Sequence, residues 1–235
     1  MFVPLSKTFK GGSAMAFSRT AALGKRPEAT ALTRNMVGIG MNFAAKPNPS
    51  APVEETLVHA SDLGMEEHDL RVLSVLTTWL SVHHEYINAD RLVRCVSHWF
   101  SKDRRFARLD KLHVKPRVDL LPVGTSFQIE RRGEDERFAD SVLRVPAGTL
   151  RDRVTDVLSP EVLVCRHSGY RNRVLMGPTW RADVLTVLEG EPAISVAEVA
   201  RRAGCSFATA WQVVQDFRLL RHARLRDLDS ATGRV

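Results

Sequence analysis

The stretch from residue 194 to residue 215 constrains this chain more than any other. Ser195 stands three residues before Glu198, the spacing of a capping box: the Ser hydroxyl accepts from the Glu amide, and the Glu carboxylate reaches back to the Ser amide. A short helix therefore starts at Val196, with Val199, Ala200 and Ala203 on one face, where small side chains admit a close neighbour. Gly204 permits the left-handed backbone that stops a helix and turns the chain sharply. Ser206 is a candidate N-cap for a second helix, whose inner face is Ala210, Val213, Val214 and Phe217. Upstream, residues 180–188 read as a further helix, with Thr179 as its cap and Val184, Leu185 and Leu188 turned inward.

The pattern is a small residue inside the first helix (Ala200), Gly four positions later (Gly204), an apolar residue next (Cys205), then Ala210 and Val213. It resembles the helix-turn-helix motif of DNA-binding proteins. With 180–188 ahead of it, the unit is similar to a winged-helix domain. Residues 222–226 would then be a strand and 229–233 a turn, leaving a truncated wing before Val235. The resemblance covers about a quarter of the chain and implies that the second helix enters the major groove. Ser206, Phe207, Ala208, Trp211, Gln212 and Gln215 would face base edges, and Ser206 and Thr209 suit phosphates near a helix N-terminus. Gln212 and Gln215 can pair with adenine, and Phe207 or Ala208 can lie against a thymine methyl. No Lys or Arg stands on that face. Arg201, Arg202, Arg218, Arg221, Arg224 and Arg226 flank it, against Glu198 and Asp216, and would hold phosphates. Proteins of this kind bind as two-fold dimers with reading helices about 34 Å apart. Other roles stay open for the same residues: Trp211 also suits packing against another domain, the glutamines a solvated face, and the whole unit a three-helix core that touches no DNA.

Composition tempers the DNA reading. The chain carries +7 over 235 residues, but residues 1–50 hold seven Lys or Arg against Glu28 alone, so the rest is almost balanced. Gly11-Gly12-Ser13, Gly38-Ile39-Gly40 and Pro47-Asn48-Pro49-Ser50 interrupt that segment, and residues 1–52 read as a basic, flexible tail or arm. No apolar run approaches the roughly 20 residues that span a bilayer, and no signal-peptide pattern opens the chain. Cys95, Cys165 and Cys205 are odd in number and unpaired by spacing, which points to buried thiols in a reducing cytoplasm.

Residues 53–115 read as an N-terminal helical domain. Its first helix, 69–82, carries Leu73, Leu76, Leu80 and then His83 or His84 along one stripe. Asn88 caps a second with Leu92, Val93, Val96, Trp99 and Phe100 inside, and Phe106, Leu109 and Leu112 mark a third. Lys102, Arg104, Arg105, Arg108, Lys111, Lys115 and Arg117 form a basic run, diluted by Asp103, Asp110 and Asp119. Residues 116–176 form a small α+β linker domain, with strands at 118–123, 127–130 and 142–145, a charged turn at 131–136 and a helix at 150–158. Residues 177–235 complete the chain as the domain similar to a helix-turn-helix. The fold expected is mainly α with a small α+β middle part, built on two three-helix units.

Chemistry finds little support. His83 and His84 are adjacent, so on a helix they point about 100° apart and do not serve one ion. No nucleotide loop, nucleophile elbow or zinc spacing is present, and Cys165 beside His167 reads as a buried thiol. No metal, cofactor or catalytic residue is expected. The function expected is a cytoplasmic transcriptional regulator of double-stranded DNA, a homodimer. Its alternative is an interaction protein, an antitoxin-like or defence-associated factor, whose layout is similar to antitoxins that grip a partner encoded nearby and repress their own operon. A small-molecule sensor in the middle domain is a third.

Overall fold

The computed structural model describes residues 26–102, 117–139, 141 and 143–232, with side chains described outside 97–102 and 221–232. The first body is built from α1 (Ala29–Gly38), α2 (Val53–Glu66), α3 (Leu70–His83) and α4 (Ala89–Lys102). The Asp69 carboxylate accepts from the Arg71 and Val72 amides at 2.9 and 3.0 Å and starts α3. Asn88 caps α4 through the Arg91 amide at 3.1 Å. Both caps satisfy amides that a helix leaves open at its first turn.

Residues 26–52, expected as part of a flexible arm, instead supply core side chains from α1 and the turn after it. Leu32, Met36 and Ile39 recur at helical spacing, and together with Met41 they sit against Leu57, Ala60, Val75, Leu76 and Trp79. The buried Trp79 indole donates to the Ile39 carbonyl at 2.7 Å. Gly38 is required by contact: a Cβ there would stand 1.9 Å from the Asn48 carbonyl oxygen. Arg26 pairs with Asp62 and Glu66. The remainder of the expected arm, 1–25, lies outside the described residues, as do the expected third helix at 106–112 and the basic run from 103 to 115. On α4, Val93 is exposed, while Arg91 and Cys95 turn inward.

The middle segment departs furthest from its sequence pattern. Its sheet is one parallel pair, β1 (Val118–Asp119) with β2 (Leu143–Arg144). The expected strand at 127–130 is instead part of a helix, α5 (Thr125–Arg132), bracketed by Gly124 and Gly133, which both have positive φ. Phe127 is 66% exposed, so the apolar alternation there reflects no buried face. Residues 150–158 are extended apart from one 3-10 turn at Val154–Asp156. The segment bridges two cores: Leu150 packs with Leu120 and Val145, while Val157 belongs to the α1 cluster. The Leu158 amide is held by the Gly40 carbonyl at 2.7 Å and the Arg151 amide by Ser74 Oγ at 3.0 Å. Arg117, read as part of the basic run, clamps this segment through Glu134 and the carbonyls of Ser141, Phe138 and Leu143.

The chain ends in α6 (Pro160–Arg166), α7 (Ser168–Met176), α8 (Trp180–Gly190), α9 (Val196–Ala203) and α10 (Phe207–Thr232). The last of these corrects the expectation of a wing: 222–226 and 229–232 continue the helix. No Gly or Pro interrupts residues 205–232, and Leu, Arg and Ala favour the helix there. Among the described residues no helix is long and apolar enough to cross a membrane.

Candidate functional site

The three C-terminal helices close on one core, Val184 and Leu188 from α8, Val199, Ala200 and Ala203 from α9, and Ala210, Val213 and Val214 from α10. Ser195 Oγ accepts from the Glu198 amide at 3.3 Å. The other half of the capping box is not formed, because Glu198 turns its carboxylate to Arg201 and Arg202. Gly204 takes φ +71° after α9, and the Cys205 amide returns to the Ala200 carbonyl at 3.1 Å. Ser206 Oγ then accepts from the Thr209 amide at 3.1 Å and lies 2.8 Å from Thr209 Oγ1. The expected phosphate-binding hydroxyls are therefore already engaged in capping α10. Thr179 makes no side-chain cap.

The outward side of α10 is open. Phe207 is 57% and Trp211 48% exposed, Ala208 and Gln212 are also exposed, and Gln215 is half-buried. Gln212 Nε2 reaches only Asp216, at 3.5 Å. The structure thus brings Phe207, Ala208, Trp211 and Gln212 onto one accessible surface, with Gln215 at its edge.

The flanking cations behave otherwise. Arg202 bonds Glu191 at 2.6 Å and Glu198 at 2.8 Å, and Arg201 bonds Glu198 at 2.7 Å. Hydrogen bonds from these two guanidinium groups hold the Glu198 carboxyl down at about 2. Two cations and two carboxylates cancel, so this corner of α9 offers no excess positive charge. Arg181 is likewise matched by Asp216 at 2.8 Å. The Arg221 and Arg224 side chains lie outside the described residues. Arg218 is exposed on α10.

Two further features were not legible from spacing. Arg94 of α4 donates to the Gly204 carbonyl at 3.0 Å and lies 4.9 Å from the Trp180 ring centroid, so the first body grips the turn that aims α10. Deeper, Arg173 bonds both Glu54 and Asp183, Asn88 donates to Asp183 at 2.9 Å, and Arg91 pairs with Glu55 at 2.8 Å. Five charged groups and one amide thus join α2, α4, α7 and α8. Their only sequence signal is a set of isolated charges inside otherwise apolar helix faces.

Other candidate chemistry is used up structurally. His83 Nε2 faces the Leu158 carbonyl at 3.0 Å and must donate, which leaves Nδ1 to accept from the Tyr170 hydroxyl at 2.7 Å. His167 accepts from the Tyr170 amide at 3.0 Å through Nδ1 and donates to the Ala51 carbonyl at 2.9 Å. Neither ring has a nitrogen to spare for a thiol or an ion. Cys165 is exposed rather than buried, and its Sγ turns to the Glu161 carbonyl. Among the described residues no group of His, Cys, Asp or Glu is placed to hold a metal ion. Compared with known protein families, curated proteins and solved structures, the chain matches none.

Proposed function

We propose that this chain is a non-catalytic, cytoplasmic regulator that places the first turns of α10 in the major groove of double-stranded DNA, in the manner of a helix-turn-helix protein. One observation carries the reading. Directly after the Gly204 turn, α10 packs Ala210, Val213 and Val214 inward and leaves Phe207, Ala208, Trp211 and Gln212 exposed. A helix held from behind and bare in front is what groove entry requires. Binding as a homodimer follows from the two-fold symmetry of such operators.

The test is fluorescence anisotropy of the full chain against duplexes selected from a randomised pool. Affinity should fall steeply between about 50 and 200 mM salt as phosphate contacts release counterions. Gln212→Ala should change the selected sequence. Absence of any duplex binding at low salt overturns the reading.

A second reading has its own support: the open face is led by two aromatic side chains, and the nearby Arg201 and Arg202 are already neutralised. Aromatic groups are enriched at protein interfaces. On this account α10 grips a partner protein encoded nearby, as an antitoxin-like factor does. Trp211→Ala would then abolish co-purification of the partner, and Gln212→Ala would leave it intact.

A further inference from the structure

The composition of the open face narrows the kind of DNA it fits, and this step rests on the duplex-binding reading above. Residues 207–217 contain no Lys or Arg. Guanine is read in the major groove mainly by a cationic side chain reaching O6 and N7 together. The first turns of α10 offer no such group. What they offer is apolar surface at Phe207 and Ala208 and a side-chain amide at Gln212, all exposed. Those match the two marks of an A·T pair, the thymine methyl and the adenine N6/N7 edge.

Charge enters one step further along the helix. At 100° per residue, Trp211 and Arg218 lie about 40° and 20° from Phe207, so the three form one line along the edge of the open face nearest Val214, with Ala208 and Gln212 about 100° and 140° round from Phe207. Arg218 is exposed, and it stands about 16 Å beyond Phe207 at 1.5 Å per residue. The major groove is about 12 Å wide. With Phe207 inside the groove, Arg218 falls at the bounding phosphate ridge, the complement of its charge.

We infer that α10 reads an A·T-rich major groove through thymine methyl groups: Phe207 and Ala208 contact the methyls, Gln212 pairs with adenine, and Arg218 anchors a phosphate at the groove edge. The occupant is B-form duplex carrying clustered thymines. Selectivity comes from apolar contact, and the salt-dependent part of affinity comes from positions beyond the reading turns.

The experiment remakes the best duplex from the randomised selection with deoxyuridine for thymidine, which removes only the C5-methyl groups. The expected result is an A·T-rich selection and a loss of about fourfold in affinity for each contacted methyl removed, the value of one buried methyl-sized group. Phe207→Ala should abolish most of the thymidine–deoxyuridine difference. Because Phe207 is largely exposed, its thermal midpoint should stay that of the parent. Arg218→Gln should reduce the salt slope by about one while keeping the methyl preference. A G·C-rich selection, or equal affinity for both duplexes, overturns this inference and leaves duplex binding standing. No binding to any duplex removes both together.

Discussion

Arg173 and Glu54 are 119 positions apart in the chain and meet in a two-pronged ion pair, Nη1 to Oε1 at 2.7 Å and Nη2 to Oε2 at 2.8 Å. Both are buried, and Arg173 also reaches Asp183 of α8 at 2.7 Å. The pair therefore ties the first turn of α2 to the helix that backs α10. Arg94 of α4, which donates to the Gly204 carbonyl, is a second tie. These two ties join the unit that carries the open face of α10 to the first body.

Removing Arg173 should be costly. Arg173→Met leaves Glu54 and Asp183 buried with Arg91 as their remaining guanidinium, at 3.7 and 3.6 Å. Losing one partner of a buried charge pair costs about 3–5 kcal/mol. Urea unfolding should show a loss of that size, and Arg173→Lys should recover only part of it, since an ammonium cannot make two parallel bonds. A loss under about 1 kcal/mol would place the tie elsewhere.

Stability should fall as the solution is acidified below neutrality. Burial holds the His83 and His167 imidazoles below their ordinary value of 6.5. The unfolded chain takes up protons as pH falls through about 6.5, and the folded chain does not, so stability is full above that pH and declines below it. The thermal midpoint should be lower at pH 5.5 than at pH 7.5, by about 2–4 °C for each kcal/mol lost. His167→Asn keeps an acceptor at the start of α7 and should flatten the slope. An unchanged slope in that variant would exclude His167 as its source.

Gly204→Ala isolates backbone strain from crowding. A Cβ at Gly204 would meet the Trp180 ring at 3.7 Å, an ordinary contact, but φ is +71°. The left-handed conformation costs a non-glycine residue about 1–2 kcal/mol. Gly190→Ala is the control, because nothing stands within 4 Å of its Cβ and its φ is not in the left-handed region. Thermal unfolding should show destabilisation for the first and none for the second.

Glu198→Gln tests whether the paired arginines are held in reserve. Glu198 bonds Arg201 and Arg202, and its carboxyl stays ionised down to about 2. Neutralising it should leave one uncompensated cation beside α10, since Glu191 still pairs with Arg202. If duplex is the target, the slope of log affinity against log salt should steepen by as much as about 0.9 per phosphate gained. An unchanged slope would mean that Arg201 and Arg202 never reach the backbone of a bound duplex.

Some of this architecture is written in short words of sequence. Asp69, Asn88, Ser195, Gly204 and Ser206 announce the helix ends that they make, because a cap or a glycine turn acts over two to four residues. The open face of α10 is legible in part: helical spacing turns Ala208 and Gln212 away from Ala210, Val213 and Val214, but it puts Phe207 only about 20° from Val214, so the exposure of Phe207 was decided by the tertiary structure. The spacing of Leu32, Met36 and Ile39 was also legible, though masked by nearby glycines and prolines. Other features were settled only when distant segments met. Residues 127–130 alternate like a strand yet coil, for want of a partner to pair with. Residues 150–158 are drawn straight between two cores. Arg201 and Arg202 look like free cations until Glu191 and Glu198 are placed beside them. The Arg173–Glu54–Asp183 cluster shows in the sequence only as scattered charges, with nothing local to say which meets which. Caps and turns are decided by neighbours along the chain, whereas strand pairing, burial and charge neutralisation depend on groups that only folding brings within a few ångströms.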